Sequence, residues 1–144
     1  MLSKRLEQVA SMVTKGNIIA DIGTDHGYVP IYLVEKGICP KAYAMDINQG
    51  PIESAIKNIE NYGLSEKIQA IKSNGLEKLE PEKADTIIIA GMGGELIVNI
   101  LENGLAKLEN CSRPVKELVL SPHKRGDLVR KYLEVAHNGR KNAY

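Results

Sequence analysis

Apolar residues along the chain fall into two recurring patterns. Short runs at Ile18–Ile22, Ala42–Met45, about Ile68–Lys72, Thr86–Ala90 and Glu117–Leu120 predict strands, and the continuous apolar run Thr86–Ala90 is of the kind buried on both faces. Between them, apolar positions recur at helical spacing. Leu2, Leu6, Val9, Ala10 and Val13 predict a leading amphipathic helix with Lys4 and Arg5 on its polar side. Pro30 to Lys36, closed by Gly37, predicts a second, and Ile52, Ala55, Ile56 and Ile59 between Pro51 and Gly63 a third. Leu96, Ile97, Ile100 and Leu101 predict a fourth, followed by a basic helix near Arg125–Leu133. Strands alternating with helices imply a doubly wound α/β fold, a mostly parallel sheet of about five strands joined by right-handed crossovers. Ligands on such sheets lie outside the C-terminal ends of the strands. Every unusual cluster falls at such an end: residues 23–28, Asp46, Asn74-Gly75, 91–94 and 121–123.

The stretch I-I-A-D-I-G-T-D-H-G-Y, Ile18 to Tyr28, organises the rest. A buried strand stops at Gly23, and Gly23 and Gly27 let backbone pass close to a ligand without an intervening Cβ. The following helix aims its N-terminal amides into the same space. Dinucleotide sites want G-x-G-x-x-G, but Asp25 replaces one of those glycines. A diphosphate would meet the carboxylates of Asp21 and Asp25, and the repulsion favours a ligand with a cationic part. S-adenosylmethionine, which carries a sulfonium and an ammonium and no phosphate, fits. A nicotinamide-dependent oxidoreductase is the alternative that the broken fingerprint disfavours.

The other strand ends extend the candidate cofactor site, which comprises Asp21, Gly23, Thr24, Asp46, Ile47, Asn74, Gly75, Gly91 and Gly93. Asp46, 23 residues beyond Gly23, is placed to accept hydrogen bonds from ribose hydroxyls. Asn74 is suited to the adenine amino edge, although Ser-Asn-Gly is also a plain turn sequence. Gly91-Met92-Gly93-Gly94 leaves open backbone for a second ligand, and Met92 can pack against a planar base. His123, at the end of the fifth strand, would bound the substrate side.

Composition narrows the setting. At 144 residues the chain suits one core, and with Phe and Trp absent that core must be Ile, Leu, Val and Ala. Hydrophobic content of 43% and charged content of 26% are those of a soluble globular protein. No apolar run is long enough to cross a bilayer, no signal-peptide pattern opens the chain, and Cys39 and Cys111 lack metal-type spacing. Two free thiols in a cytoplasmic protein without a metal are therefore expected. The net charge of +1 hides an asymmetry. Residues 1–110 hold 11 Lys/Arg against 15 Asp/Glu, whereas residues 111–144 hold 8 against 3. The basic end points to an anionic partner, with Lys124, Arg125, Arg130 and Lys131 as phosphate contacts.

Leu2-Ser3-Lys4-Arg5-Leu6, the A-D-I-G-T-D-H-G-Y run, S-N-G-L and I-A-G-M-G-G together resemble the bacterial tRNA (adenine-N1)-methyltransferases. The resemblance covers about residues 1–133. It implies a Rossmann-like class I methyltransferase sheet and S-adenosylmethionine-dependent methylation of adenine 22 in the D-arm of tRNA. It places Asp21, Gly23, Asp25, His26, Asp46, Asn74, Gly91, Met92 and Gly93 around the cofactor and target. On this reading Asp25, His26, Tyr28 and Met92 form the catalytic group. Asp25 steadies the developing cation or accepts from the adenine amino group, while His26 and Tyr28 orient or stack on the base. For His26 the alternative is a hydrogen bond to the turn backbone. Gly94, His123, Lys124, Arg125 and Arg130 would contact substrate.

The family fold has further strands and a helical domain after the basic helix. This chain is therefore expected to be C-terminally truncated: a methyltransferase domain at 1–134, incomplete, and an irregular tail at 135–144. The fifth strand would be an uncovered edge, leaving a monomer or a weakly self-associating species. Cofactor binding is expected to survive better than tRNA methylation, and a non-catalytic cofactor- and RNA-binding remnant is the second reading.

Overall fold

Strands apolar on both faces must be covered on both, and the structure shows how the helices divide that task. A computed structural model describes residues 2–136 and 139–144. In chain order the elements are α1 (Lys4–Ser11), β1 (Ile19–Ile22), α2 (Tyr28–Glu35), β2 (Ala42–Asp46), α3 (Gln49–Asn61), β3 (Ile68–Lys72), β4 (Thr86–Ala90), α4 (Gly94–Glu109), β5 (Glu117–Ser121), α5 (Gly126–Val135) and β6 (Lys141–Ala143). The six strands form one sheet in the order β3-β2-β1-β4-β5-β6, and every pairing is parallel.

Alternation along the strands sorts side chains between two cores. Ile19, Ala42, Ala44, Ile88 and Val119 face the layer that includes Val9 and Ala10 of α1, Leu33 of α2 and Ala55 and Ile59 of α3. Ala20, Ile22, Met45, Ile87, Ile89, Leu118 and Leu120 face Ile97, Leu101 and Leu105 of α4 and Val129 and Leu133 of α5. Leu76, Leu79 and Ala84, from the connection between β3 and β4, complete that second layer. The chain changes face there, so the winding direction reverses between β1 and β4. In open α/β sheets that reversal opens a crevice at the strands' C-terminal ends.

Two expectations change. A sixth strand occupies the segment expected to be an irregular tail: Lys141, Asn142 and Ala143 pair with Glu117, Leu118 and Val119. The edge of β5 expected to be uncovered is thus covered along its first three residues. Three residues supplying backbone hydrogen bonds, two of them polar, leave no apolar period to read. His137 and Asn138, within the expected tail, lie outside the described residues. Helix α2 starts at Tyr28, before Pro30, because Gly27 takes a left-handed conformation (φ 77°) and turns the chain directly into it. Pro30 then occupies the first turn, where its missing N–H costs nothing.

The N-terminal edge of the sheet is polar, and its two buried carboxylates are well bonded. Buried Glu117 accepts hydrogen bonds from Thr14 N (3.0 Å), Thr14 Oγ1 (2.8 Å) and Thr86 Oγ1 (2.9 Å), and Lys141 Nζ lies 3.2 Å away. Burial works against its charge, but these donors outweigh burial and hold the carboxyl below its ordinary value. Buried Asp85 accepts from Ile18 N (2.8 Å) and takes a two-pronged contact from Arg113. Because Glu117 is held low, its contribution is present above the unfolded carboxylate value and is lost as pH falls through the folded one. Glu117→Gln, which turns an acceptor into a donor facing hydroxyls and an ammonium, is expected to cost about 1–3 kcal/mol at pH 7. Urea denaturation should show that deficit shrinking on acidification, as the wild-type carboxylate becomes protonated.

Candidate functional site

At the opposite edge the polar groups are not used up. Asp21 sits on β1 between Ala44 and Ile88 of the neighbouring strands and is only 5% exposed. Burial pushes its carboxyl up to about 7; the nearby Thr24 hydroxyl opposes the shift and the Asp46 charge adds to it. Thr24 Oγ1, itself buried, completes no hydrogen bond. A desolvated acid beside an unpartnered hydroxyl is costly in a resting core, and perturbed groups of this kind mark functional clefts.

Asp46 is better supported. Its Oδ2 accepts from Asp25 N (3.2 Å) and its Oδ1 from Asn48 N (3.1 Å). A carboxylate offers about four acceptor positions, so capacity remains on both oxygens. Ile47, next in the chain, is 54% exposed and offers an apolar surface beside it. The turn from β1 is held against β2 by Gly23 N and Thr24 N, which both donate to Met45 O, at 2.8 and 2.9 Å. Asp25 completes the turn in the left-handed region (φ 58°), with its side chain 70% exposed.

His26 is tied to α3 rather than to its own turn. Its Nδ1 lies 2.7 Å from Ser54 Oγ, and Asn58 Nδ2 donates to His26 O at 2.9 Å. The His26 and Tyr28 rings lie 5.2 Å apart at an interplanar angle of 31°, and Asp25 Oδ2 is 3.7 Å from His26 Nε2. Asp25, His26 and Tyr28 therefore form one exposed cluster. Ser54 and Asn58, which orient it, gave no sign in the sequence because their helix reads as a plain amphipathic segment.

Across the reversal point, β4 ends in the glycine loop. A methyl added to Gly23 would lie 2.4 Å from Met92 Cε, so the thioether rests on the bare backbone of β1's turn. Gly91 N donates to Ser121 O (3.0 Å) and His123 N to Met92 O (3.0 Å), which binds the loop to the end of β5. Gly93 lies under the Lys124 side chain, and a shallow cavity of about 480 Å³ there is lined by Gly93, Glu95, Leu96, Asn99, His123 and Lys124. Asn74 and Gly75 line a separate cleft of about 410 Å³ against Leu96, Asn99 and Ile100 of α4.

The expected substrate contacts divide. His123, Lys124 and Arg130 are exposed. Arg125 is engaged by Asp127, Nε to Oδ1 at 3.1 Å, with Glu95 at 3.9 Å. Gly94 does not line the surface. It is buried, and a methyl there would lie 2.0 Å from the Arg125 carbonyl oxygen, so it serves helix packing. Among the described residues no cluster could hold a metal ion, and no helix is long and apolar enough to cross a membrane. Cys39 and Cys111 are unpaired.

This geometry has counterparts. Residues 2–139 match the family described as a methyltransferase domain. The chain belongs to that family. Within it, 132 residues are 42% identical to the tRNA (adenine(22)-N(1))-methyltransferase of Bacillus subtilis, covering 92% of this chain and 54% of that protein. A Streptococcus pneumoniae protein crystallised with S-adenosyl-L-methionine superposes with a TM-score of 0.88 and 49% identity, over 94% of this chain and 62% of that one. Mycoplasma capricolum TrmK in complex with S-adenosyl-homocysteine gives 0.70 and 47%, over 74% and 49%. The chain thus spans about half to three-fifths of these methyltransferases.

The raised Asp21 carboxyl has a measurable consequence. Between about pH 4 and 7 the unfolded chain releases a proton that the folded chain keeps, so Asp21 destabilises the fold progressively as pH rises through that window. Asp21→Asn is expected to stabilise this methyltransferase domain by about 1–3 kcal/mol at pH 8 and to have little effect at pH 4. Thermal unfolding at the two pH values checks this.

Proposed function

We propose that this chain binds S-adenosylmethionine at the C-terminal ends of β1, β2 and β4 and serves methylation of adenine N1 at position 22 of tRNA, in the cytoplasm. The observation that carries the reading is the seam where Met92 lies on Gly23. Acids with spare capacity flank it on one side and a three-glycine loop on the other, in a chain 42% identical to an enzyme named for that reaction.

The residues fit the cofactor. Asp46, oriented by two amides, suits a ribose diol, and Ile47 suits the face of the adenine ring. Asn74, at the end of β3, is the candidate for its amino edge. Buried Asp21 and the unpartnered Thr24 hydroxyl await a cationic donor, as an ammonium group would supply. When bound, S-adenosylmethionine supplies a methyl group on a positively charged sulfur.

Adenine N1 carries an in-plane lone pair and can attack that methyl without first losing a proton. The chain must therefore supply alignment and dryness more than acid–base chemistry. Met92 provides an adaptable apolar wall for the base, and Asp25 places a carboxylate where the positive charge arriving on adenine is steadied. His26, fixed by Ser54, and Tyr28 offer ring faces at the mouth. Since N1 lies on the pairing edge, the nucleotide must be unpaired or swung outward. His123, Lys124 and Arg130 lie beyond the glycine loop, where phosphates of the RNA would run.

Incubating the chain with S-adenosylmethionine and unmodified tRNA, then digesting to nucleosides for mass spectrometry, is expected to reveal 1-methyladenosine. It should be lost when position 22 carries guanine. Binding of both ligands without any methyl transfer would instead make the chain a non-catalytic module. Asp25→Asn is expected to lower turnover by about 10–100-fold with cofactor affinity unchanged. Intact turnover would remove Asp25 from the mechanism.

A further inference from the structure

Arg140 lies at the N-terminal edge of the sheet, just before β6, and takes no part in the ligand edge. Backbone pairing fixes its direction. Lys141 N donates to Lys116 O (2.8 Å), which docks β6 on β5, and the Lys141 side chain reaches Glu117 and Thr14 on the α1 side. Side chains alternate along extended backbone, so Arg140 turns to the opposite face, toward the end of α4. There its Nη1 donates to Glu109 Oε2.

That contact uses one part of the guanidinium. Nε and Nη2 are buried without a hydrogen-bond partner among the described residues, and the side chain as a whole is 1% exposed. These two nitrogens share one edge of the planar group, the fork that meets both oxygens of an acid at once. Buried donors of a charged group are seldom left without an acceptor. Beside them is a cavity of about 420 Å³ lined by Glu109, Pro114, Val115, Lys116, Gly139 and Arg140. The Gly139 side is open, since a methyl there would meet nothing within 4 Å.

Charge and shape select the occupant. Among the described residues, the ion pairs of this corner join three cations, Arg113, Lys116 and Arg140, to two carboxylates, Asp85 and Glu109. One further negative charge balances them. A carboxylate brings one, whereas a phosphate group brings about 1.5 to 2 at pH 7. Pro114 and Val115 supply an apolar wall, which suits a short hydrocarbon chain and offers nothing to further phosphate oxygens. We propose that this cavity binds a small aliphatic monocarboxylate, its two oxygens on the Nε–Nη2 fork of Arg140 and Lys116 at the rim. The site is separate from the cofactor edge, so the proposal stands whether or not that edge holds S-adenosylmethionine.

Titration of the full chain with sodium butyrate, followed by the proton–nitrogen correlation signals of Arg140 Nε–H and of the Val115 and Gly139 amides, tests this. Sodium phosphate and sodium chloride at equal ionic strength are the comparisons. Butyrate is expected to give saturable shifts at all three signals, and phosphate to bind at least about fivefold more weakly. Arg140→Lys, which keeps the charge and removes the fork, should weaken butyrate by about tenfold or more. Glu109→Gln removes the competing carboxylate with little change of shape, and should tighten butyrate by about threefold or more. Weaker binding in Glu109→Gln would show that the Arg140–Glu109 pair serves packing alone. Shifts reproduced by chloride, or no saturable shift at all, would leave only general screening. Tighter binding of phosphate would make this a phosphate site, and shifts confined to the Asp25 turn would move butyrate to the cofactor edge. Each of these outcomes overturns the proposal.

Discussion

Two backbone amides, those of Asp25 and Asn48, converge on the Asp46 carboxylate, and the working edge of the protein depends on that convergence. It joins the turn leaving β1 to the turn leaving β2. Asp25 is held in a left-handed conformation that a non-glycine residue seldom adopts, and the hydrogen bond to Asp46 helps offset the cost. With the turn fixed, Gly23 presents bare backbone to Met92, and His26 can reach Ser54. Were the carboxylate lost, the turn would keep its Gly23 and Thr24 amide bonds to Met45 but lose the one that holds Asp25 in place.

The sheet treats its two edges in opposite ways. At the N-terminal edge, Glu117 and Asp85 are buried with several donors each, so their charges are compensated within the fold. At the C-terminal edge Asp21 is buried with little compensation, and Thr24 Oγ1 is unpartnered. The carboxylates of one edge are satisfied within the fold, while those of the other keep capacity that a ligand can complete. Stability and binding are thus separated along the strand direction by the length of a five-residue strand.

Much of this is legible in the chain. Ile87, Ile88 and Ile89 announce a strand covered on both faces, and the glycines after β1, β3 and β4 mark where ligands can approach. Asp21, Asp25 and Asp46 are readable as one acidic group because strand order brings their turns together. Other features are not legible. Ser54 and Asn58 act on His26 from about thirty residues away, a pairing that only the packing of α3 creates. Gly94 looks like a member of an open loop, yet its missing side chain makes room for the Arg125 carbonyl. Strand β6 forms from Lys141, Asn142 and Ala143 because β5 offers unpaired amides, a tertiary opportunity with no local signature.

Helix α1 touches both edges, with Arg5 beside Gly91 and the residues just past its end joined to Glu117. It packs through Val9 and Ala10 over the layer shared with α2 and α3. Such a helix acts as a tie-rod. A load applied by an occupant at one end is carried to the hydroxyl–carboxylate knot at the other, so occupancy should be felt as slower amide exchange around Thr14, far from any contact with the occupant.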